Sequence, residues 1–299
     1  MNNPPLRSGY VAIVGLPNVG KSTLLNRILN YNLSIVSPKP QTTLHSILGI
    51  FNEHDSQMIF LDTPGWLQPK EAVQVHMKRI ILRVLQEDAD LILWVLEPRP
   101  LTPEEWEFGL MLKKSERPLF VAVNKMDLVK NSAIIKEIET QLARNLDYPF
   151  EFHGVSSLTG QGLGKLKENL KNQLPSSPAY FPPDQITDRW ERFYVGEWIR
   201  EALFKLYQQE IPHAAAVLVE EFQERPQQKD RIEAVIYLEK ESQKGIMIGR
   251  GGKAIKKLGE TSRKVIEKQL GRPVYLDLRV KVHKNWRNDP QFLKRLTWM

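Results

Sequence analysis

The 299-residue chain contains no cysteine. That excludes disulfides and thiolate metal sites from the outset. No run of apolar residues reaches the roughly 18 to 20 needed to cross a bilayer. The opening stretch MNNPPLRSGY lacks the apolar core of a signal peptide and the Arg/Ser-rich character of a transit peptide, so a cytoplasmic protein is expected. Internal repeats and low-complexity tracts are also missing. The apolar fraction of 41% and the charged fraction of 26% fit a globular chain long enough for two domains.

Negative charge is scarce in one place. The net charge is +7, but from Lys240 to Met299 there are 16 Lys/Arg and only 5 Asp/Glu, while the first 239 residues hold 26 and 30. A block at +11 on a body at −4 points to a polyanion partner for that block, or else to a solvated surface.

Apolar runs alternate with amphipathic stretches up to residue 174. Tyr10–Val14, Met58–Leu61, Leu91–Leu96 and Leu119–Val123 read as buried strands, and Thr23–Leu29, Val75–Leu85, Glu104–Lys114 and Ala133–Leu142 as helices. The pattern predicts an α/β domain over 1–174 with a mostly parallel sheet covered on both faces. The segment 175–188 carries four prolines and reads as a linker, with Thr187 placed to cap the next helix. From 189 to 299 the expected order is α-β-β-α-turn-α-β. It comprises a long helix over Asp188–Gln209, strands Ala216–Glu221 and Ile232–Leu238, a short helix, a Gly-rich turn, a helix over Lys253–Leu270 and a strand over Val274–Val282.

Gly15-Leu16-Pro17-Asn18-Val19-Gly20-Lys21-Ser22 matches GxxxxGK[ST] between a predicted strand and a predicted helix. Glycines at Gly15 and Gly20 let the loop wrap phosphates from Pro17 onward, with backbone N–H groups of Asn18–Thr23 turned inward, and the helix N-terminus adds partial positive charge. Lys21 can reach the β- and γ-phosphates, and the Ser22 hydroxyl can ligate Mg²⁺. About forty residues on, Asp62-Thr63-Pro64-Gly65 follows a strand. Asp62 is placed for the metal and the Gly65 N–H for the γ-phosphate, although DTPG alone is equally a turn. Asn124-Lys125-Met126-Asp127 follows the next-but-one strand. A carboxylate there accepts from guanine N1–H and the 2-amino group, which adenine does not offer. Asp127 therefore sets the base, Asn124 braces the pocket, the Lys125 stem covers the ring, and Ser156 and Ser157 form a third wall through backbone N–H groups. This disfavours an ATPase.

Gly249-Arg250-Gly251-Gly252, preceded by Ile248 and followed by Lys253, is a GxxG turn. Such turns let a nucleic-acid backbone approach closely, with Arg250, Lys253, Lys256 and Lys257 neutralising phosphates. A helix corner that simply needs glycine reads the same way. The basic face continues through Arg263, Lys264, Lys268, Arg279, Lys281, Lys284 and Arg287. Trp286 and Trp298 are candidates for base stacking, with core packing as the competing role.

Taken together, PNVGKS, QTT (41–43), DTPG, NKMD, VSS (155–157), TDRWERFYVGEWIRE, EIPHAAAVLVE and GIMIGRGGKAIKKLG resemble the Era family of translation-factor-related GTPases over nearly the whole chain. The resemblance implies a P-loop GTPase domain followed by a type II KH domain. It implies GTP and GDP with Mg²⁺ as ligands, Thr43 as a further Mg²⁺ ligand, and switch segments around Gln41, Thr42 and Thr43 and from Asp62 through Thr63, Pro64, Gly65 and Trp66. It also implies slow intrinsic hydrolysis, because Trp66 stands where other GTPases carry a water-orienting Gln, with K⁺ at Asn18 as a substitute charge. The implied partners are the 3′ end of 16S ribosomal RNA and the 30S subunit, for a monomeric protein. A membrane-surface regulator, weakly held at the inner membrane by the basic block, is the second reading. Four positions depart from the family pattern: Leu44 for Arg, Ser46 for a basic residue, Glu97 for Asp, and Ser157 for Ala.

Overall fold

The computed structural model describes residues 6–37, 39, 42–208 and 210–297. The predicted positions Gln41, Gln209 and Trp298 lie outside them. The chain divides into two compact units, the first made of Met1–Ser34, Pro40–Lys70 and Gln74–Asp188, the second of Arg189–Met299 together with the short stretches Ile35–Lys39 and Glu71–Val73.

The first unit runs β1 (Arg7–Val14), α1 (Lys21–Leu29), β2 (Ile47–Glu53), β3 (Ser56–Asp62), α2 (Ala72–Arg83), β4 (Leu91–Leu96), α3 (Pro103–Lys113), β5 (Leu119–Val123), α4 (Ala133–Asn145), β6 (Phe150–Gly154) and α5 (Leu163–Gln173). Its six strands lie in the order β2-β3-β1-β4-β5-β6. Among the described residues, only β2 runs antiparallel to its neighbour. Every residue of β3, β4 and β5 is buried, as helices on both faces of a parallel sheet require. Register sets Ile13 beside Asp62 and Val14 beside Trp94, and Leu96 beside Val123. The carboxyl ends of β1, β3, β4 and β5 are therefore level, and the loops that follow them open on one side of the sheet.

Strand β2 was not among the expected elements. Its burial does not alternate, and Gly49 interrupts it where a Cβ would come within 2.6 Å of Leu29. The glycine is there to admit α1, and it hides the strand from a pattern search. Segment 175–188 forms one isolated bridge, Arg7–Ser176, and no helix. It runs along the β2–β3 side of the sheet. The buried Gln57 amide accepts from the N–H groups of Tyr180 (2.8 Å) and Phe181 (3.0 Å) and donates to the Phe181 carbonyl (2.8 Å). Ile50 N–H donates to the Ile186 carbonyl at 2.7 Å. A single edge strand thus has part of its open ladder covered by a stretch whose prolines cannot extend the sheet.

The second unit runs α6 (Glu191–Leu206), α7 (Ile211–Ala214), β7 (Ala216–Gln223), β8 (Asp230–Leu238), α8 (Glu241–Ile248), α9 (Lys253–Leu270), β9 (Val274–Val282) and α10 (Pro290–Thr297). In the sheet β7-β8-β9, β7 is antiparallel and β9 parallel to β8. Ile232, Ala234 and Ile236 of β8 are buried, as are Leu258 and Ile266 of α9. Helix α6 starts three residues later than expected, and Thr187 does not cap it. Its hydroxyl donates instead to the Leu48 carbonyl at 2.7 Å. Trp286 is a core residue: it is 2% exposed and its indole N–H donates to the Ala214 carbonyl at 2.9 Å, so it offers no stacking face.

Candidate nucleotide and nucleic-acid sites

The loop after β1 has the backbone that only glycine supplies. Gly15 has φ +145° and a Cβ there would lie 2.4 Å from the Val95 carbonyl oxygen; at Gly20, φ is +99° and a Cβ would lie 2.3 Å from Asn124 Nδ2. Gly20 caps α1 without a side chain, which leaves the first-turn N–H groups of the helix facing the loop. Lys21, 6% exposed, donates from Nζ to the carbonyls of Gly15 (3.1 Å) and Leu16 (2.8 Å). Burial pulls its pKa down to about 8, with Asp62 opposing.

Three oxygen side chains from three segments meet beside it. Ser22 Oγ donates to Asp62 Oδ2 at 2.7 Å and stands 3.2 Å from Thr43 Oγ1. Asp62 is fully buried and its Oδ1 has no hydrogen-bond partner among the described residues. Burial raises the Asp62 carboxyl, against the charge of Lys21 and the nearby hydroxyls of Ser22 and Ser34. An orphaned buried carboxylate oxygen beside two hydroxyls fits a hard divalent cation that takes its other ligands from phosphates.

The rest of 62–66 is anchored. Thr63 Oγ1 donates to the Ile13 carbonyl at 2.8 Å. Gly65 packs so closely on Pro17 that a Cβ would lie 2.7–2.9 Å from its atoms. Trp66 N–H donates to the Gly15 carbonyl at 3.0 Å, while its ring is buried, stacked 4.8 Å from Phe108 with Lys78 Nζ 4.7 Å away. Trp66 is a packing residue.

Asn124 ties the loop after β5 to the loop after β1. Its Nδ2 donates to the Val19 carbonyl at 2.9 Å, and its Oδ1 accepts from the N–H (2.9 Å) and hydroxyl (2.8 Å) of Ser157. Exposed Asp127 accepts from the buried Ser156 hydroxyl. Ser156 and Ser157, expected as a third wall through backbone N–H groups, direct those groups within the loop in this structure. Ser156 N–H is used by the Gln161 carbonyl and Ser157 N–H by Asn124. The two serines hold Asp127 and Asn124 in place instead. Glu97 was noted only as a departure, yet it pairs with the Lys125 ammonium, a through-space contact between residues 28 apart that no local pattern signals.

In the second unit, α8 ends at Gly249 (φ 70°, ψ 172°), and Gly251 and Gly252 follow at φ 60° and 75° before α9 begins. Arg250, Lys253, Lys256 and Lys257 are exposed and Ile248 is half-buried. Alongside α9 and β9 runs a groove of about 380 Å³ lined by Ile255, Lys256, Gly259, Glu260, Arg263 with Leu276 and Leu278. The basic face is shorter than expected. Arg279 pairs with Asp277 (3.0 Å) and Glu233 (3.2 Å), Lys281 lies 3.8 Å from Glu220, and Arg287 lies 3.5 Å from Glu239.

Residues 10–125 match the family model described as 50S ribosome-binding GTPase, and residues 210–287 match the KH domain model. GTPase Era of Lactobacillus helveticus is 40% identical over 99% of this chain and 97% of its own length. GTPase Era of Geobacter metallireducens is 42% identical over 99% of each. The crystal structure of an Aquifex aeolicus Era variant bound to GDP·AlF4− superposes with a TM-score of 0.92 at 35% identity, covering 97% of this chain and 99% of that one. A structure of Era in complex with MgGDPNP and nucleotides 1506–1542 of 16S ribosomal RNA gives the same TM-score and identity, covering 97% and 98%. With a P-loop GTPase domain followed by a KH domain, and this likeness along its length, the chain belongs to the Era family of GTPases.

Proposed function

We propose that the protein is a GTP-driven switch that binds the 3′ end of 16S ribosomal RNA through its KH domain and assists maturation of the small ribosomal subunit. The observation that carries the RNA half is the GxxG turn. Three glycines with positive φ open α9 beside a groove with apolar walls at Leu276 and Leu278 and cations at Lys256 and Arg263. Bases can lie on the apolar wall while the turn admits the backbone. The relative solved with 16S nucleotides 1506–1542 supports that choice of RNA.

In the GTPase half, the N–H groups of Asn18–Thr23 and the Lys21 ammonium hold the phosphates, and Gly65 N–H meets the γ-phosphate. Ser22, Thr43 and Asp62 would hold Mg²⁺, which when bound neutralises charge developing between the β- and γ-phosphates. Asp127 selects guanine, and Asn124 fixes the distance between base and phosphate sites. The buried Trp66 leaves its position without a side chain to orient water. Asn18, exposed at φ 65°, is the proposed K⁺ ligand. Hydrolysis should run faster in KCl than in NaCl of equal concentration, and equal rates count against that role.

Sedimentation tests the cellular reading. With a non-hydrolysable GTP analogue, the protein should co-sediment with 30S particles or their precursors. Co-sedimentation with 50S particles alone overturns the small-subunit assignment.

A further inference from the structure

Lys125 stands at φ 63°, the left-handed conformation that starts the Met126–Leu128 turn. Its side chain is about a third exposed (32%). What holds it is Glu97 Oε1. The other Glu97 oxygen accepts from Arg99 Nε at 3.2 Å. Arg99 is locked in turn, donating from Nη1 and Nη2 to the two oxygens of Glu105 at 2.8 and 3.1 Å. Glu105 is 1% exposed and also accepts from Thr102 N–H at 2.8 Å, closing the capping box of α3. Burial would raise the Glu97 carboxyl, but Lys125 and Arg99 outweigh it and hold it below the usual range. An ionic relay thus runs from the buried start of α3 to the loop after β5.

We propose that Glu97 is a positioning residue for the guanine ring, acting through Lys125. A lysine stem has four rotatable bonds and no intrinsic preference for one direction. Pinning its ammonium at a carboxylate that is itself fixed from the far side makes the methylene stem a preformed cover for the base. This rests on the reading of Asn124–Asp127 as the guanine pocket. Glu97 touches the base at no point; its effect passes entirely through the lysine.

A double-mutant cycle on the full-length protein tests this. Glu97→Gln keeps the shape and removes the charge from both ion pairs, so affinity for GDP should fall about tenfold. Affinity for inosine diphosphate should fall by the same factor, because the stem covers the ring face and not the 2-amino edge. In Lys125→Met, which keeps an apolar stem without an ammonium, adding Glu97→Gln should change GDP affinity less than twofold. Undiminished loss in the Lys125→Met background, or no loss in the single variant, overturns the proposal. If Glu97→Gln fails to fold, Arg99→Gln, which frees the same carboxylate from α3, should weaken GDP binding and show the same cancellation; an effect that survives Lys125→Met overturns it equally. Asp127→Asn is measured in parallel. If that variant keeps its preference for GDP over ADP, the pocket assignment itself has failed. If it loses the preference while Glu97→Gln binds GDP normally, only the Glu97 inference has failed.

Discussion

Lys21→Ala is expected to lower kcat/KM for GTP by about 10³-fold, the effect of losing roughly 4 kcal/mol when one partner is removed from a buried charge pair. The side chain is buried and held by two loop carbonyls, so on the proposed assignment it is in place before any phosphate arrives. Its burial carries a cost. Desolvation lowers the Lys21 pKa to about 8 from a usual 10.5, so the fold disfavours the charged form, and the stability lost to this returns as pH rises from about 8 toward 10.5. Removing the ammonium should therefore leave Tm within a few degrees while hydrolysis collapses. The same shift gives GDP binding a pH dependence. Phosphate charge raises that pKa again, so binding takes up a proton above pH 8. GDP affinity should be flat below about pH 7 and fall with growing steepness as pH rises through 8 toward 10, and calorimetry in buffers of unlike ionisation enthalpy should register the uptake. Proton-neutral binding at pH 9 would contradict the lowered pKa of Lys21 in the free protein.

Gly252→Asp should weaken RNA binding on the order of 100-fold while RNA-free GTP hydrolysis stays within twofold of the parent. The position separates the two functions because of its local geometry. A Cβ at Gly252 meets nothing within 4 Å, and its φ of 75° is one that aspartate adopts more readily than most residues, so the strain is about 1 kcal/mol. The new carboxylate is carried by the same turn as Arg250 and Lys253, so it opposes their attraction for an incoming phosphate. Gly249 would make a poorer probe. Its ψ of 172° at φ 70° belongs to a region almost restricted to glycine, and a Cβ would lie 2.7 Å from Ala254 Cβ, so a substitution would disturb the start of α9 itself. Filter binding with thermal melts on the same samples reads both effects. Normal RNA binding in folded Gly252→Asp would remove the turn from the interface.

The features legible in the sequence are those in which chemistry and spacing are local. Gly15–Ser22, Asp62–Gly65, Asn124–Asp127 and Gly249–Gly252 each lie at the element junction their spacing predicted, and α9 and β9 run over the expected residues. The level ends of β1, β3, β4 and β5 then bring the first three motifs to one side of one sheet. What stayed hidden depends on contacts between distant residues. Strand β2 is masked by a glycine that exists for α1. Thr187 turns to a carbonyl 139 residues away rather than to its own helix. Arg279 and Lys281 counted toward a basic face until the sheet placed Glu233 and Glu220 beside them. The partner of Lys125 is invisible for the same reason, since a carboxylate one loop away has no fixed spacing to a lysine. Trp286 shows the limit of residue type alone: the same indole suits a base or a core, and a carbonyl at 2.9 Å decides for the core.

The claim that one chain joins a guanine-nucleotide switch to recognition of a particular RNA is tested most directly by equilibrium binding of the full-length protein to a fragment of the 16S ribosomal RNA 3′ end. A scrambled fragment of equal length and charge, at about 0.15 M salt, is the comparison, because phosphate contacts alone are blind to sequence. A preference of at least tenfold for the natural fragment in the presence of a GTP analogue is the predicted result; equal affinity for the two fragments would contradict it.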